Sequence, residues 1–163
     1  MGEAAATGAL NPLAQPFWVG VGVAVMCGAV IGLDRQIRGK PVGVRTSILI
    51  CLSTAIFVQL GALYAGEEGD PTRVLGQVVT GVGFLGAGVI LARGGVVTGV
   101  TTAAVIWILA AIGALVGLGQ FAAALAISIV TLVVVTGVRL LELSFLRLRS
   151  GAYADESSPD EGC

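Results

Sequence analysis

Five long apolar runs fill most of the chain, at residues 17–33, 46–65, 74–92, 102–119 and 121–143. Each is long enough to cross a hydrocarbon core as a helix, which takes about 17–25 mostly apolar residues. In lipid the backbone has no outside hydrogen-bond partner, so each run is predicted to be helical. Short clusters of another chemistry separate them. Gly39-Lys40-Pro41 and Gly66-Glu67-Glu68-Gly69 end two runs with glycine, charge or proline. Asp70-Pro71 reads as a helix start, since Asp caps free N–H groups and Pro suits the first turn. Gly94-Gly95 parts the third and fourth runs, and Gly117-Leu118-Gly119-Gln120 makes a tight turn before the fifth.

Charge gives the runs a direction. Arg35, Arg38, Lys40 and Arg45 lie in the first loop, Arg93 in the third, and Arg139, Arg147 and Arg149 at the C-terminal flank. The second loop holds Glu67, Glu68 and Asp70 against Arg73 alone, and the fourth has no charge. Bases on alternate loops predict the N-terminus outside and the C-terminus inside. Phe17, Trp18 and Tyr64 then fall at the outer interface, where aromatic belts sit. The expectation is an all-α, polytopic membrane protein with five transmembrane helices. Residues 1–16 form a short extracytoplasmic lead without the positive opening of a cleaved signal. Residues 17–143 form the transmembrane domain. Residues 144–163 form a cytoplasmic tail, basic and amphipathic at first, then acidic, Ser/Pro/Gly-rich and disordered.

Within a bilayer, small residues let helices approach closely. Run one carries Gly20, Ala24, Gly28 and Gly32 at every fourth place, and run four carries Gly113 and Gly117. Run three carries Gly76, Thr80 and Gly83 with further glycines, which predicts a central helix with neighbours on more than one face. The stripes are expected to pack within one protomer first and to offer a homodimer seam second. A homo-oligomer, with a dimer favoured, is the expected assembly.

Composition narrows the chemistry. Hydrophobic residues are 56 % and charged residues 12 % of 163, and the net charge is −1. Soluble domains carry about 25 % charged residues, and a nucleic-acid partner needs a concentrated basic surface, so no nucleic acid is expected. There is no His, and the three Cys form no CxxC. No metal site, no cofactor and no enzymatic activity are expected; a Ser or Cys nucleophile would need a base that the chain does not place near it. Gly81-Val82-Gly83-Phe84-Leu85-Gly86 matches GxGxxG, but it lies inside an apolar run without the strand before it and the acid after it that a dinucleotide site requires.

The remaining chemistry gathers at the inner face. Asp34, Arg35, Arg38, Lys40, Arg45 and Arg93 share it with the N-termini of run two (Thr46) and run four (Thr101, Thr102). Bases beside helix N-termini suit an anion or a lipid headgroup. The plainer expectation is that the bases face anionic lipid and Asp34 bonds Arg45 to order the loop. In the spans, Gln77 and Thr80 are among the few polar groups at depth. Carboxylates along a span, the mark of a cation path, are missing.

Three stretches in register with the five runs, GAVIGLDRQIRGKPVGVRT, DPTRVLGQVVTGVGFLGAGVIL and GVTTAAVIWILAAIGALVGLGQF, resemble the MgtC/SapB family of bacterial inner-membrane proteins. The resemblance spans about residues 20–142. It implies a five-helix module with the N-terminus outside, in the inner membrane. It implies a role in magnesium and phosphate homeostasis and in survival of pathogens inside host cells. The founding type resembles a regulator of a membrane protein partner, so the function expected is non-enzymatic regulation from the cytoplasmic face. The alternative is an oligomeric transporter or channel for Mg²⁺ or another small ion. Asp34 stands where the family usually has Glu, Thr98 and Thr101 where it often has Arg and Asn, and Ile108 where a Cys often follows the Trp. The tail is too short for the folded cytosolic domain that many members add.

Overall fold

The computed structural model describes residues 11–64, 72–93 and 96–153, with 72, 93, 96 and 138–153 described by their backbone alone. These residues form five helices and one hairpin: α1 (Gln15–Ile37), α2 (Val44–Tyr64), α3 (Thr72–Gly88), β1 (Leu91–Arg93), β2 (Val96–Thr98), α4 (Val100–Gly117) and α5 (Phe121–Tyr153). Three of them, α1, α2 and α4, are long and apolar enough to cross a membrane. The apolar part of α5, Phe121–Gly137, is shorter, and α3 has 17 residues. The backbone of α5 stays helical to Tyr153, ten residues past the expected end of run five.

Large apolar side chains stay exposed around the bundle, including Leu49, Phe57, Phe84, Ile129 and Val133. That is the surface of a chain whose solvent is lipid rather than water. At the start of α1, Phe17 and Trp18 meet edge to face at 5.2 Å. The Trp18 indole donates to the Pro12 carbonyl at 2.9 Å.

The small-residue stripes explain the packing order. α2 is the central helix, held between α1 and α4. A Cβ at Gly28 would lie 2.7 Å from the Ile48 Cα, and one at Gly32 would lie 2.6 Å from the Val44 Cα. At Gly113 and Gly117 a Cβ would press on the Cys51 and Ala55 carbonyls of α2. Backbones this close leave no room for side chains between them, so the stripes of runs one and four serve packing within the protomer. The core they surround holds Cys27, Cys51, Leu109, Ile112 and Val116, all at most 1 % exposed. α5 packs on α1 and α4.

α3 corrects the sequence expectation. It is peripheral rather than central, packing mainly on α4 and only slightly on α2. Trp107 of α4 covers Gly86 and, at 3.9 Å from a Cβ, Gly83. Gly76, Gly81 and Gly88 have nothing within reach. The glycines of α3 admit one indole ring, and the rest of that surface faces outward.

The all-α expectation also misses a short antiparallel ladder. Leu91 pairs with Thr98 and Arg93 with Val96, where run three was expected to stay helical to 92. In the sequence Gly94-Gly95 stands between the two strands, a dipeptide that favours hairpins. Gly99, at φ +90°, turns the chain from β2 into α4, and a Cβ there would strike the Val89 carbonyl. Gly99→Ala is expected to cost about 1–2 kcal/mol from backbone strain alone. It should appear as a lowered midpoint when the detergent-solubilised protein is heated.

Candidate functional site: a closed charge cluster beside a cavity

The C-terminal turn of α1 carries acid and base where the bundle ends. Asp34 and Arg38 are one helical turn apart on one face, the spacing at which side chains meet. The Arg38 Nη2 lies 2.5 Å from the Asp34 Oδ1, and its Nε donates to the same oxygen at 2.7 Å. Arg38 Nη2 also donates to the Thr136 hydroxyl of α5 at 3.0 Å, which lies 3.4 Å from Asp34 Oδ1. The other carboxylate oxygen, Asp34 Oδ2, is buried with no hydrogen-bond partner among the described residues.

Arg35 turns the other way and is 3 % exposed. Its Nε and Nη2 both donate to the Pro41 carbonyl, at 3.0 and 2.7 Å. Nη2 also reaches the buried Thr102 hydroxyl at 2.9 Å. One guanidinium thus ties the end of α1 to the α1–α2 loop and to the first turn of α4. The loop is strained at Val42, a β-branched residue at φ +61°. Such a conformation persists only where the surroundings over-determine it. Here the Arg35 bonds to Pro41, the Gln36 carboxamide accepting from Val44 N–H at 3.2 Å, and the Ser47 hydroxyl 3.5 Å from the Val42 carbonyl do so.

Beside the cluster lies a cavity of about 1020 Å³, walled by the end of α1, the hairpin, the start of α4 and a face of α5. Asp34, Arg35, Arg38 and Lys40 meet Thr98, Thr101 and Thr102 at its polar end.

The structure brings together only part of the set expected from sequence. Asp34, Arg35, Thr101 and Thr102 join it. Arg45 and Thr46 do not: both are exposed on the first turn of α2 and neither lines the cavity. Asp34 pairs with Arg38 rather than Arg45, because helix α2 begins at Val44 and turns Ser47, not Arg45, toward Gly32. Arg93 ends β1, and its side chain lies outside the described residues, as do the acids of the second loop. Gln77 and Thr80 are exposed on α3, and the Thr80 hydroxyl donates to its own Gly76 carbonyl at 2.9 Å. They line no path. Sequence reasoning missed Pro41 and Thr136 as partners; only the i, i+4 spacing of Asp34 and Arg38 was there to be used.

Comparison with known proteins places the chain in a family. The MgtC family model matches residues 21–143. The chain is 46 % identical over 118 residues to the Escherichia coli (strain K12) protein named Putative magnesium transporter YhiD, covering 68 % of this chain and 54 % of that one. It is 43 % identical over 117 residues to Protein MgtC of Salmonella typhimurium (strain LT2), covering 72 % and 50 %. It is 38 % identical over 142 residues to Protein MgtC of Brucella abortus (strain 2308), covering 86 % and 59 %. The chain spans about half the length of these curated relatives. No solved structure matches it. The chain belongs to the MgtC family.

Proposed function

We propose that this member of the MgtC family serves magnesium homeostasis as a non-enzymatic regulator in the bacterial inner membrane, acting from its cytoplasmic face. The reading includes five spans, N-terminus outside and C-terminus inside. α3, with 17 residues, and the apolar part of α5, Phe121–Gly137, meet the lower bound for a span of about 17. Bases on alternate loops support the orientation. Magnesium comes from the name of the Escherichia coli relative.

The observation that carries regulation over transport is how the polar groups are spent. A divalent-cation path offers oxygens with no cation of their own. Asp34, the one carboxylate among the described side chains, already holds a guanidinium through Oδ1, and its other oxygen is buried. The hydroxyls of Ser53, Ser128 and Thr131 bond carbonyls of their own helices at 3.2, 2.8 and 2.7 Å. What stays available is the outer surface of the inner end, including Arg45. An oligomeric Mg²⁺ transporter is the second reading, favoured by the same relative's name.

Arg45→Glu tests the face. The residue is exposed with no hydrogen bond among the described residues, so the fold is expected to survive. In a bacterium lacking its own family member, growth at low magnesium should fall toward that of the empty strain, with protein level unchanged. Growth equal to wild type would contradict action through this surface. Lys40→Cys in a Cys163→Ser background should react with an impermeant thiol reagent only from the cytoplasmic side; reaction from outside would overturn the orientation.

A further inference from the structure

We infer that the cavity beside the charge cluster binds one anionic phospholipid of the inner leaflet, headgroup at the polar end and one acyl chain along the α4–α5 groove. The inference rests on the membrane orientation proposed above.

The charged groups of the cavity lie at one end; Thr131 of α5 lines it further along, its hydroxyl bonded to the Ile127 carbonyl at 2.7 Å. Away from the cluster its walls are Ala104, Val105 and Ile108 of α4 facing Ile127, Val130 and Val134 of α5. These recur at the spacing of one helix face, so two antiparallel faces bound a groove. Thr101 starts it on α4 beside the cluster, and Ile108 lies deepest. On α5 the direction reverses: Thr136 touches Arg38 and Ile127 lies deepest. Seven residues of helix advance about 10 Å. One leaflet of hydrocarbon is about 15 Å deep, so the groove covers most of a leaflet from its polar edge inward. Val130 and Val134 are 56 % and 54 % exposed, which leaves the groove open sideways for a chain to slide in from the bilayer.

Charge complementarity selects the lipid. The cavity's polar end holds Arg35, Arg38 and Lys40 against Asp34 alone, a net of two positive charges. Arg35 is spent on a carbonyl and a hydroxyl, and Arg38 on Asp34. Lys40 is exposed; its backbone N–H donates to the Arg35 carbonyl at 3.0 Å, and its ammonium has no hydrogen-bond partner among the described residues. The exposed Thr101 hydroxyl and the first N–H groups of α4, which have no acceptor within the helix, stand on the same rim. A phosphodiester satisfies all three. A headgroup that adds an ammonium of its own would return a positive charge to a site already positive, so phosphatidylglycerol fits better than phosphatidylcholine. A free phosphate would leave the apolar groove unfilled. A helix of a second copy would fill the groove and bring Lys40 no anion.

The test uses the full chain, purified and stripped of lipid in a neutral detergent. Retained lipid is counted by native mass spectrometry during titration with phosphatidylglycerol or phosphatidylcholine of the same acyl chains. One phosphatidylglycerol should be retained at about tenfold lower concentration, as expected for one or two interfacial charges. Lys40→Ala should cut that preference about fivefold. Val134→Trp fills the groove and should abolish retention of either lipid without lowering the melting temperature, with Val130→Trp as the second groove-filling variant. Equal retention of the two lipids, or full retention in both Trp variants, would overturn the inference. Complete displacement by millimolar inorganic phosphate would reduce the site to a free-anion site. A lipid-free dimer closed across the groove would assign it to a second copy. Retention is read without any growth phenotype. If it fails while the Arg45→Glu defect and the cytoplasmic labelling of Lys40→Cys stand, only this inference falls.

Discussion

Arg35→Ala is expected to unfold the end of the bundle that carries the charge cluster, at a cost of about 3 kcal/mol or more. The substitution removes three charge-assisted bonds, each worth about 1.5–3 kcal/mol although not additive. It leaves the buried Thr102 hydroxyl and the part-buried Pro41 carbonyl without their donor. The strained Val42 then loses one of the contacts that hold it. Arg35→Lys should rescue little. A lysine offers a point charge on a flexible stem, whereas two nitrogens of one planar fork grip the Pro41 carbonyl here. The check is the unfolding midpoint in mixed micelles, followed by far-UV circular dichroism. A midpoint for Arg35→Lys equal to wild type would show that charge, not geometry, does the tying.

Gly28→Leu is expected to separate α1 from α2. The new Cβ would sit 2.7 Å from a backbone carbon of Ile48 and 2.8 Å from the Ser47 carbonyl. A backbone cannot step aside as a side chain can, so the cost should reach or pass the about 1–3 kcal/mol of ordinary overpacking. The same helix supplies its own control. Gly22 has nothing within 4 Å of an added Cβ, and Gly22→Leu should leave stability unchanged while adding an equal apolar side chain. Equal losses in the two variants would mean that leucine itself, not the α1–α2 crossing, is responsible.

Local chemistry made the helices legible. Hydropathy and the Gly, Pro and charge breaks placed all five helix starts within about two residues, because in lipid the backbone must close its own hydrogen bonds. The Gly28–Gly32 and Gly113–Gly117 stripes were legible as contacts, but not which helix they touch; both meet α2. The same reasoning failed on α3. Glycine permits close approach without causing it, and Gly76, Gly81 and Gly88 meet nothing within the protomer. The hairpin was missed because hydropathy does not tell Leu91–Arg93 from the last turn of an apolar helix, although Gly94-Gly95 was a signal.

At the site, the gathering of Asp34, Arg35 and Thr102 followed from topology, since antiparallel helices bring alternate loops to one end. The pairing inside the cluster did not. Loop reach made Arg45 a reasonable partner for Asp34. Helix α1 instead runs four residues beyond the expected end of run one, to Ile37, which sets Arg38 one turn above Asp34. The groove was invisible from sequence, because its walls come from facing positions on α4 and α5 whose rotation only packing decides.

The proposed regulator requires the charge cluster around Asp34 to be closed to a passing cation. Magnesium uptake into proteoliposomes holding the full chain tests that most directly, with Asp34→Asn beside it. The expected result is no saturable uptake above protein-free vesicles in either case, with the variant folded. Saturable Mg²⁺ uptake by the wild type, lost in Asp34→Asn, would make the protein a carrier and contradict the account.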